Sequence, residues 1–235
     1  MILALWSAPR SRSTAFLRMM MQRNDFCVLH EPFSHLIDFG DTTVNGEVVR
    51  SEAELMESIR RLAQKTPVFF KDTTDFRYPG LLADARFLRE VTHTFIIRNP
   101  VDAITSHYRL NSNLTCEEVG FARLYEIFEA VMNATGNVSP VVDADDLVDD
   151  PVATVREYCR VIGIPFIEEA MSWEPGMPEA WRRAPRWHES TGHSAGFERT
   201  EESGPIDISG NPALSEYLRH HLPYYEKLRE YRLRP

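Results

Sequence analysis

Short apolar runs near residues 2–7, 26–30, 67–71, 93–98 and 138–143 are rich in Val, Ile, Leu and Phe, and segments with helical spacing separate them. Strands that alternate with helices pair in parallel, because each crossover needs about a dozen residues to return to the same end of the sheet. The pattern therefore predicts an α/β fold of three layers, α/β/α, around a mainly parallel sheet of about five strands. Ser51 followed by Glu54 reads as a capping box that opens a helix with Leu55, Ile59 and Leu62 on one face. Thr115 and Glu118 repeat the device ahead of Phe121, Tyr125, Phe128 and Met132. Asp150-Pro151 predicts an N-cap with proline at the first helical position, and Gly163 with Pro165 beyond it predicts the stop. From about Trp173 to Asn211 no period is sustained, so a long irregular region is expected over the sheet. The tail from Pro212 to Leu233 resumes helical spacing through Leu214, Leu218, Leu222 and Tyr225.

Composition narrows the picture. A length of 235 residues with 43% hydrophobic side chains suits a single domain, 1–235. No apolar run approaches the roughly 18 residues that would span a bilayer. Met1 leads directly into Ile2–Trp6 without a basic leader, so a cytoplasmic location is expected. The three cysteines are odd in number and widely spaced, which suits buried thiols better than a disulfide framework or a zinc knuckle. A net charge of −9 opposes general attraction to nucleic acid or anionic membrane, so any anion site must be local.

In an open parallel sheet, ligands sit beyond the carboxyl ends of the strands, where loops converge and helix N-termini point inward. The first strand ends in Ser7-Ala8-Pro9-Arg10-Ser11-Arg12-Ser13-Thr14, and a helix with Phe16, Leu17, Met20 and Met21 begins within that run. Exposed N–H groups at the helix start, the hydroxyls of Ser11, Ser13 and Thr14, and the guanidinium groups of Arg10 and Arg12 together suit a phosphate. The second strand ends in His30-Glu31-Pro32, where the proline removes Glu31 from an ordinary ladder and leaves its carboxylate as a candidate base. The third ends in Val68-Phe69-Phe70-Lys71-Asp72, and the Lys71 amine could stabilise a leaving phosphate. The fourth ends in Ile97-Arg98-Asn99-Pro100, and Ser106 follows Arg98 at a distance that would let both grip one phosphate. Each group alone has an ordinary reading as a cap, a salt bridge, a snorkelling lysine or a structural arginine. Four consecutive strand ends delivering such groups to one rim argue for a site.

These segments resemble the PAPS-dependent sulfotransferases, where PAPS is 3′-phosphoadenosine-5′-phosphosulfate. Pro9-Arg10-Ser11-Arg12-Ser13-Thr14 resembles the family's 5′-phosphosulfate loop of Pro, Lys or Arg, Ser, Gly, Thr or Ser, Thr. Phe95-Ile96-Ile97-Arg98-Asn99-Pro100-Val101-Asp102-Ala103 with Ser106 resembles its 3′-phosphate motif. Val141 to Leu147, Asp150-Pro151 and Ile162-Gly163-Ile164-Pro165-Phe166 extend the likeness to about three-quarters of the chain.

The resemblance implies a P-loop-like fold and PAPS as cosubstrate without a metal. It places Arg10, Ser11, Ser13 and Thr14, with Arg12 among them, on the 5′-phosphosulfate, and Arg98 and Ser106 on the 3′-phosphate. It also implies Glu31 as general base and Lys71 as catalytic partner. The histidine that the cytosolic branch carries after strand three is replaced here, because the place reads Lys71-Asp72-Thr73. Arg12 stands at the usual glycine, which implies either a different backbone path or a side chain turned outward or toward substrate. The adenine-side signature is reduced to Arg186-Trp187-His188 and Gly192-His193.

The acceptor is expected to be a small molecule with a hydroxyl or amine, chosen by loops around 33–50, 109–116 and 173–205. Phe33, Phe39, Phe76, Trp181 and Trp187 near those loops favour an apolar or aromatic one. Two other readings fit parts of the pattern. A P-loop kinase shares strand, loop and helix but needs Gly-x-x-x-x-Gly-Lys-Ser/Thr, and this chain has no glycine before Gly40. A non-catalytic nucleotide-binding protein of the same fold would account for Arg12. Neither His188 with His193 nor His220-His221 has recognised metal-ligand spacing, so no metal is expected.

Overall fold

A computed structural model describes residues 1–199 and 206–234. The chain runs β1 (Ile2–Ser7), α1 (Ser13–Gln22), β2 (Cys27–His30), α2 (Pro32–Phe39), then a hairpin of β3 (Thr42–Val44) and β4 (Glu47–Val49), and α3 (Glu52–Ala63). It continues through β5 (Val68–Thr73), α4 (Pro79–Ala83), α5 (Ala85–Glu90), β6 (Thr92–Ile97), α6 (Pro100–Leu110), α7 (Phe121–Thr135) and β7 (Val141–Asp143). The remaining helices are α8 (Ala144–Asp149), α9 (Pro151–Ile162), α10 (Glu189–His193) and α11 (Pro212–Glu230). The main sheet has five strands in the order β2-β5-β1-β6-β7, and every pairing in it is parallel.

Both faces of the sheet are covered, which is why the strands read as continuous apolar runs. Alternate residues of β1 divide between two cores. Ala4 and Trp6 face a core built with Phe33 of α2, Leu55 and Ile59 of α3, Phe87 of α5, Phe128 of α7 and Leu228 of α11. Leu3 and Leu5 face the other, with Phe16 and Met20 of α1, Leu147 of α8 and Tyr158 of α9. Trp6 is fully buried, packs edge-on to Phe70 at 5.5 Å, and donates Nε1 to Nδ1 of His93 on β6 at 2.9 Å. Burying such side chains, at about 1.5–3 kcal/mol each, supplies the main stabilising force.

Several helix boundaries follow the predicted capping chemistry. Ser51 Oγ accepts the Glu54 N–H at 3.2 Å, although Glu54 reaches back to the Arg50 N–H at 2.8 Å rather than to Ser51. Asp150 caps α9 through the Ala153 N–H at 3.0 Å, and Gly163 closes that helix at φ 75°.

Three expectations are corrected. The Thr115–Glu118 contacts form, at 2.7 and 3.0 Å, but only a short 3₁₀ turn, Glu117–Val119, follows them. Gly120 at φ 86° then breaks the path, and α7 starts at Phe121. Leu222 of α11 faces outward, 37% exposed, while Leu214, Tyr225 and Leu228 are buried. The hairpin β3–β4 lies within a stretch read as loop, and its turn is Asn45 at φ 49° and Gly46 at φ 83°. The predicted irregular region contains 3₁₀ turns at Glu179–Trp181 and Pro185–Trp187 besides α10, and its part from 200 to 205 lies outside the described residues.

Candidate functional site

Beyond the carboxyl ends of β1, β2, β5 and β6 lies a cavity of about 420 Å³. Its lining includes Arg10, Ser11, Arg12, Ser13, Thr14, Glu31, Lys71, Arg98 and Ser106, so the structure brings the residues predicted for the phosphosulfate, the 3′-phosphate and catalysis to one place.

The loop after β1 turns sharply because Arg10 and Arg12 both adopt left-handed backbone, at φ 65° and 61°. Alternating handedness of this kind builds the backbone concavities that hold anions. Arg12 is also the residue before α1, whose N-terminus has no side-chain cap, so its first N–H groups are left for a ligand. Ser13 Oγ accepts from Ser7 Oγ at 2.9 Å. Ser11 is fully buried, and among the described residues its Oγ has no hydrogen-bond partner.

Arg12 keeps the backbone that glycine would supply, and its side chain leaves the cradle. Its Nη1 donates to the Ala144 carbonyl at 3.1 Å and to Asp145 Oδ1 at 3.2 Å. Burial and neighbouring Arg98 pull its guanidinium below the ordinary range, opposed by Asp145. Gly120 supports the loop from the other side. A Cβ there would stand 2.8 Å from Pro9 Cδ and 3.0 Å from the Thr74 carbonyl, so only glycine allows α7 to begin so close.

Arg10, which the sequence groups with the 5′ loop, reaches across to the other anion motif. Its Nε donates to Ser106 Oγ at 3.1 Å and its Nη1 to the Trp187 carbonyl at 2.9 Å. Arg98 Nη1 donates to the Arg10 carbonyl at 3.2 Å. The β1 loop, the end of β6 and α6 are thus tied together by cationic side chains, within reach of a single polyanion.

Glu31 sits at the β2–α2 corner with φ 46°, immediately before Pro32 at the first helical position. It is freed from capping its own helix because Asp72 of β5 does so instead. Asp72 Oδ2 accepts the Phe33 N–H at 2.6 Å, and Oδ1 accepts the Ser34 N–H at 3.1 Å and the Ser34 hydroxyl at 2.6 Å. Burial raises Asp72 to about 7 even against those donors. Lys71, one residue earlier, is 1% exposed and forms a tight ion pair with Glu31 Oε1. Burial alone would raise the Glu31 carboxyl, but the Lys71 ammonium, with His30 and His188 nearby, holds it well below the usual carboxylate range. Lys71 lies two residues before the end of β5, in register with Leu5 of β1 and His30 of β2.

A family model described as the sulfotransferase domain matches residues 1–231. The chain belongs to the sulfotransferase family. Two Arabidopsis thaliana proteins, branched-chain-amino-acid aminotransferase-like proteins 2 and 1, are each 30% identical to this chain over 239 residues. Those alignments cover 97% and 96% of this chain but 41% of each relative, so the chain spans about two-fifths of their length. Similar solved structures include the sulfotransferase domain from the curacin biosynthetic pathway, 14% identical, covering 93% of this chain and 96% of that one at a TM-score of 0.49. Mouse sulfotransferase SULT7A1 complexed with PAP is 13% identical, with 97% and 88% covered and a TM-score of 0.49.

Of the residues proposed for the adenine side, Trp187 and His188 line the cavity, whereas Arg186, Gly192 and His193 do not. Arg186 instead lies over the Trp187 ring, 4.6 Å from its centroid. The aromatic acceptor wall is likewise revised. Phe33 and Trp181 are fully buried in the cores, Phe76 packs against one, Phe39 lies under Arg183 at 4.2 Å, and only Trp187 of the five lines the cavity. The wall near Glu31 contains Ser34, His35, Asp38, Thr73, Asp75 and His188, which sequence reasoning did not single out for this role. Burial and the nearby Glu31 raise Asp38, and burial raises Asp75 to about 6. Of these groups Thr73 carried a sequence signal as the end of Lys71-Asp72-Thr73, and His188 was read from sequence only as an adenine-side candidate.

Proposed function

We propose that the chain transfers a sulfuryl group from PAPS to a hydroxyl or amine of a small polar acceptor, with Glu31 as general base. The observation that carries this reading is the buried Glu31–Lys71 pair facing the cavity that the β1 loop, Arg98 and Ser106 also line. The donor set fits the cosubstrate. Among the described residues Ser11 Oγ lacks a hydrogen-bond partner and the α1 N-terminus has no side-chain cap, and four arginines, Arg10, Arg12, Arg98 and Arg109, with Lys71 line the space. Ser11, Ser13, Thr14, Arg10 and the α1 N-H groups would hold the 5′-phosphosulfate, Arg12 would contribute charge from the edge, and Arg98 with Ser106 would hold the 3′-phosphate.

PAPS supplies an electrophilic sulfur with the 5′-phosphate as leaving group. The acceptor atom forms a bond to sulfur while the sulfur–oxygen bond to the phosphate breaks, and the bonding electrons leave with that oxygen. Glu31 takes the acceptor proton. A carboxylate held far below its ordinary range is a poor proton acceptor. Lys71 resolves the conflict. An anionic leaving group competes with Glu31 for its ammonium, and as the ammonium is drawn away, burial raises the basicity of Glu31.

Calorimetric titration with adenosine 3′,5′-bisphosphate, beside adenosine 5′-monophosphate and magnesium-ATP, tests the donor assignment. The bisphosphate should bind at about micromolar level and the other two much more weakly. Glu31→Gln should retain that binding and lose about 10²–10⁴-fold in turnover. Preference for magnesium-ATP, or wild-type turnover in Glu31→Gln, overturns the reading.

A further inference from the structure

His30, Glu31 and His35 each present a ligand atom, and all three atoms lie within 4.8 Å of one another. Local structure brings them together. His30 ends β2, Glu31 turns the corner, and His35 returns one helical turn later, its N–H bonded to the Glu31 carbonyl at 2.9 Å. His188, from the segment that covers the sheet, faces His30 with ring centroids 4.7 Å apart.

The two rings His30 and His188 are 8% and 3% exposed, and among the described residues none of their four nitrogens has a hydrogen-bond partner. Leaving a buried polar group unpaired costs about 1–3 kcal/mol, and each neutral imidazole carries one lone pair and one N–H, so a ligand that accepts lone pairs would satisfy one nitrogen of each ring. His30 Nε2 stands 3.6 Å from Glu31 Oε1. Zinc bonds of about 2.0–2.1 Å place tetrahedral ligands roughly 3.3 Å apart, so the two donors already stand near that separation. The other histidine and cysteine cluster, Cys116 with His220 and His221, is the weaker candidate. His221 Nε2 already bonds the Cys116 carbonyl at 2.7 Å and its Nδ1 accepts the Ala122 N–H at 3.3 Å.

We propose that His30, Glu31 and His35, with His188 as fourth ligand, form a site for a zinc-class divalent ion. Two imidazoles and a carboxylate are a zinc ligand set, and a third imidazole closes the coordination shell. The ion takes the carboxylate that Lys71 otherwise holds. It therefore removes the proposed base and should inhibit sulfuryl transfer by competing with the acceptor rather than the donor; this consequence rests on the function proposed above, whereas ion binding does not.

The test uses the full chain carrying Cys116→Ser and His220→Asn, which removes the competing cluster. Zinc(II) is titrated calorimetrically and cobalt(II) by visible absorption, without any acceptor. The expected result is one ion per chain, with intense visible bands of four-coordinate cobalt. Glu31→Gln, His35→Gln and His30→Gln, each verified as folded by circular dichroism and bisphosphate binding, should each weaken binding by at least about tenfold. Absence of stoichiometric binding, weak six-coordinate cobalt bands, or unchanged affinity in Glu31→Gln and His35→Gln overturns the site. Binding that disappears with these variants supports it whether or not the chain turns over PAPS.

Discussion

Arg12 separates backbone strain from side-chain contact. Its φ of 61° and ψ of 14° place a residue with a Cβ in left-handed space, which costs an L-residue about 1–2 kcal/mol relative to ordinary helical backbone. The side chain offsets this with the bond to the Ala144 carbonyl, worth about 1 kcal/mol, and the half-exposed pair with Asp145, worth about 0.2–1 kcal/mol. Arg12→Ala loses both contacts and keeps the strain. Arg12→Gly loses the same contacts and relieves the strain, but the freer unfolded chain returns roughly 0.5–1 kcal/mol of that gain. Glycine should therefore be more stable than alanine by about 0.5–1 kcal/mol, and for a domain of this size each kcal/mol moves the melting temperature by about 2–4 °C. Scanning calorimetry on the two purified variants reads the difference directly, since both lack the same guanidinium. An alanine variant that melts at or above the glycine variant would refute the argument that this position is a glycine site filled by arginine.

Gly120→Ala should be far more costly, because its Cβ would press on Pro9 and the Thr74 carbonyl while φ stays at 86°. Left-handed strain and overpacking together predict a loss of about 2–4 kcal/mol in urea denaturation, and a change within about 0.5 kcal/mol would show that α7 can retreat. Stability should also fall in mild acid. Burial lowers His93 to about 3, so the unfolded chain takes up this proton first as pH drops below about 6.5. Its contribution is complete above that pH and is lost toward about 3, at up to roughly 1.4 kcal/mol per pH unit. His107 and His221, lowered by burial to about 4, add to the slope. His93→Gln should flatten the pH dependence of the denaturation midpoint between 6.5 and 4.5, and an unchanged slope would show that His93 does not carry it.

The five-stranded sheet was legible because both of its faces are buried, which turns each strand into an apolar run that helical spacing interrupts. The turn after β1 was legible as a candidate anion cradle because its residues are neighbours in sequence at the end of an apolar run. The hairpin carried its own signal, Asn45-Gly46 between Thr42–Val44 and Glu47–Val49, but its strands are only three residues each. Thr115 and Glu118 satisfy each other without starting a helix, since capping contacts are local while Gly120 answers to Pro9 and Thr74, which are distant in sequence. The apolar acceptor wall failed for a related reason. Phe33 and Trp181 are drawn into cores by burial, and sequence position near a loop does not say which way a ring turns. The role of Asp72 in capping α2 and the meeting of His30 with His188 arise only when separate strands and loops are brought together.

Lys71 and Asp72 act as a two-point clamp on the β2–α2 corner, one side chain fixing the Glu31 carboxylate and the next fixing the backbone that follows it. The clamp joins β5 to the corner after the edge strand β2, whereas much of the wall around it comes from α2 beyond Ser34 and from the 184–198 segment. On the proposed function, chemistry and selectivity would be carried by separable parts of the chain. If that function holds, exchange of the 35–50 and 184–198 segments between relatives would be a route to new acceptors that leaves the Glu31–Lys71 pair intact.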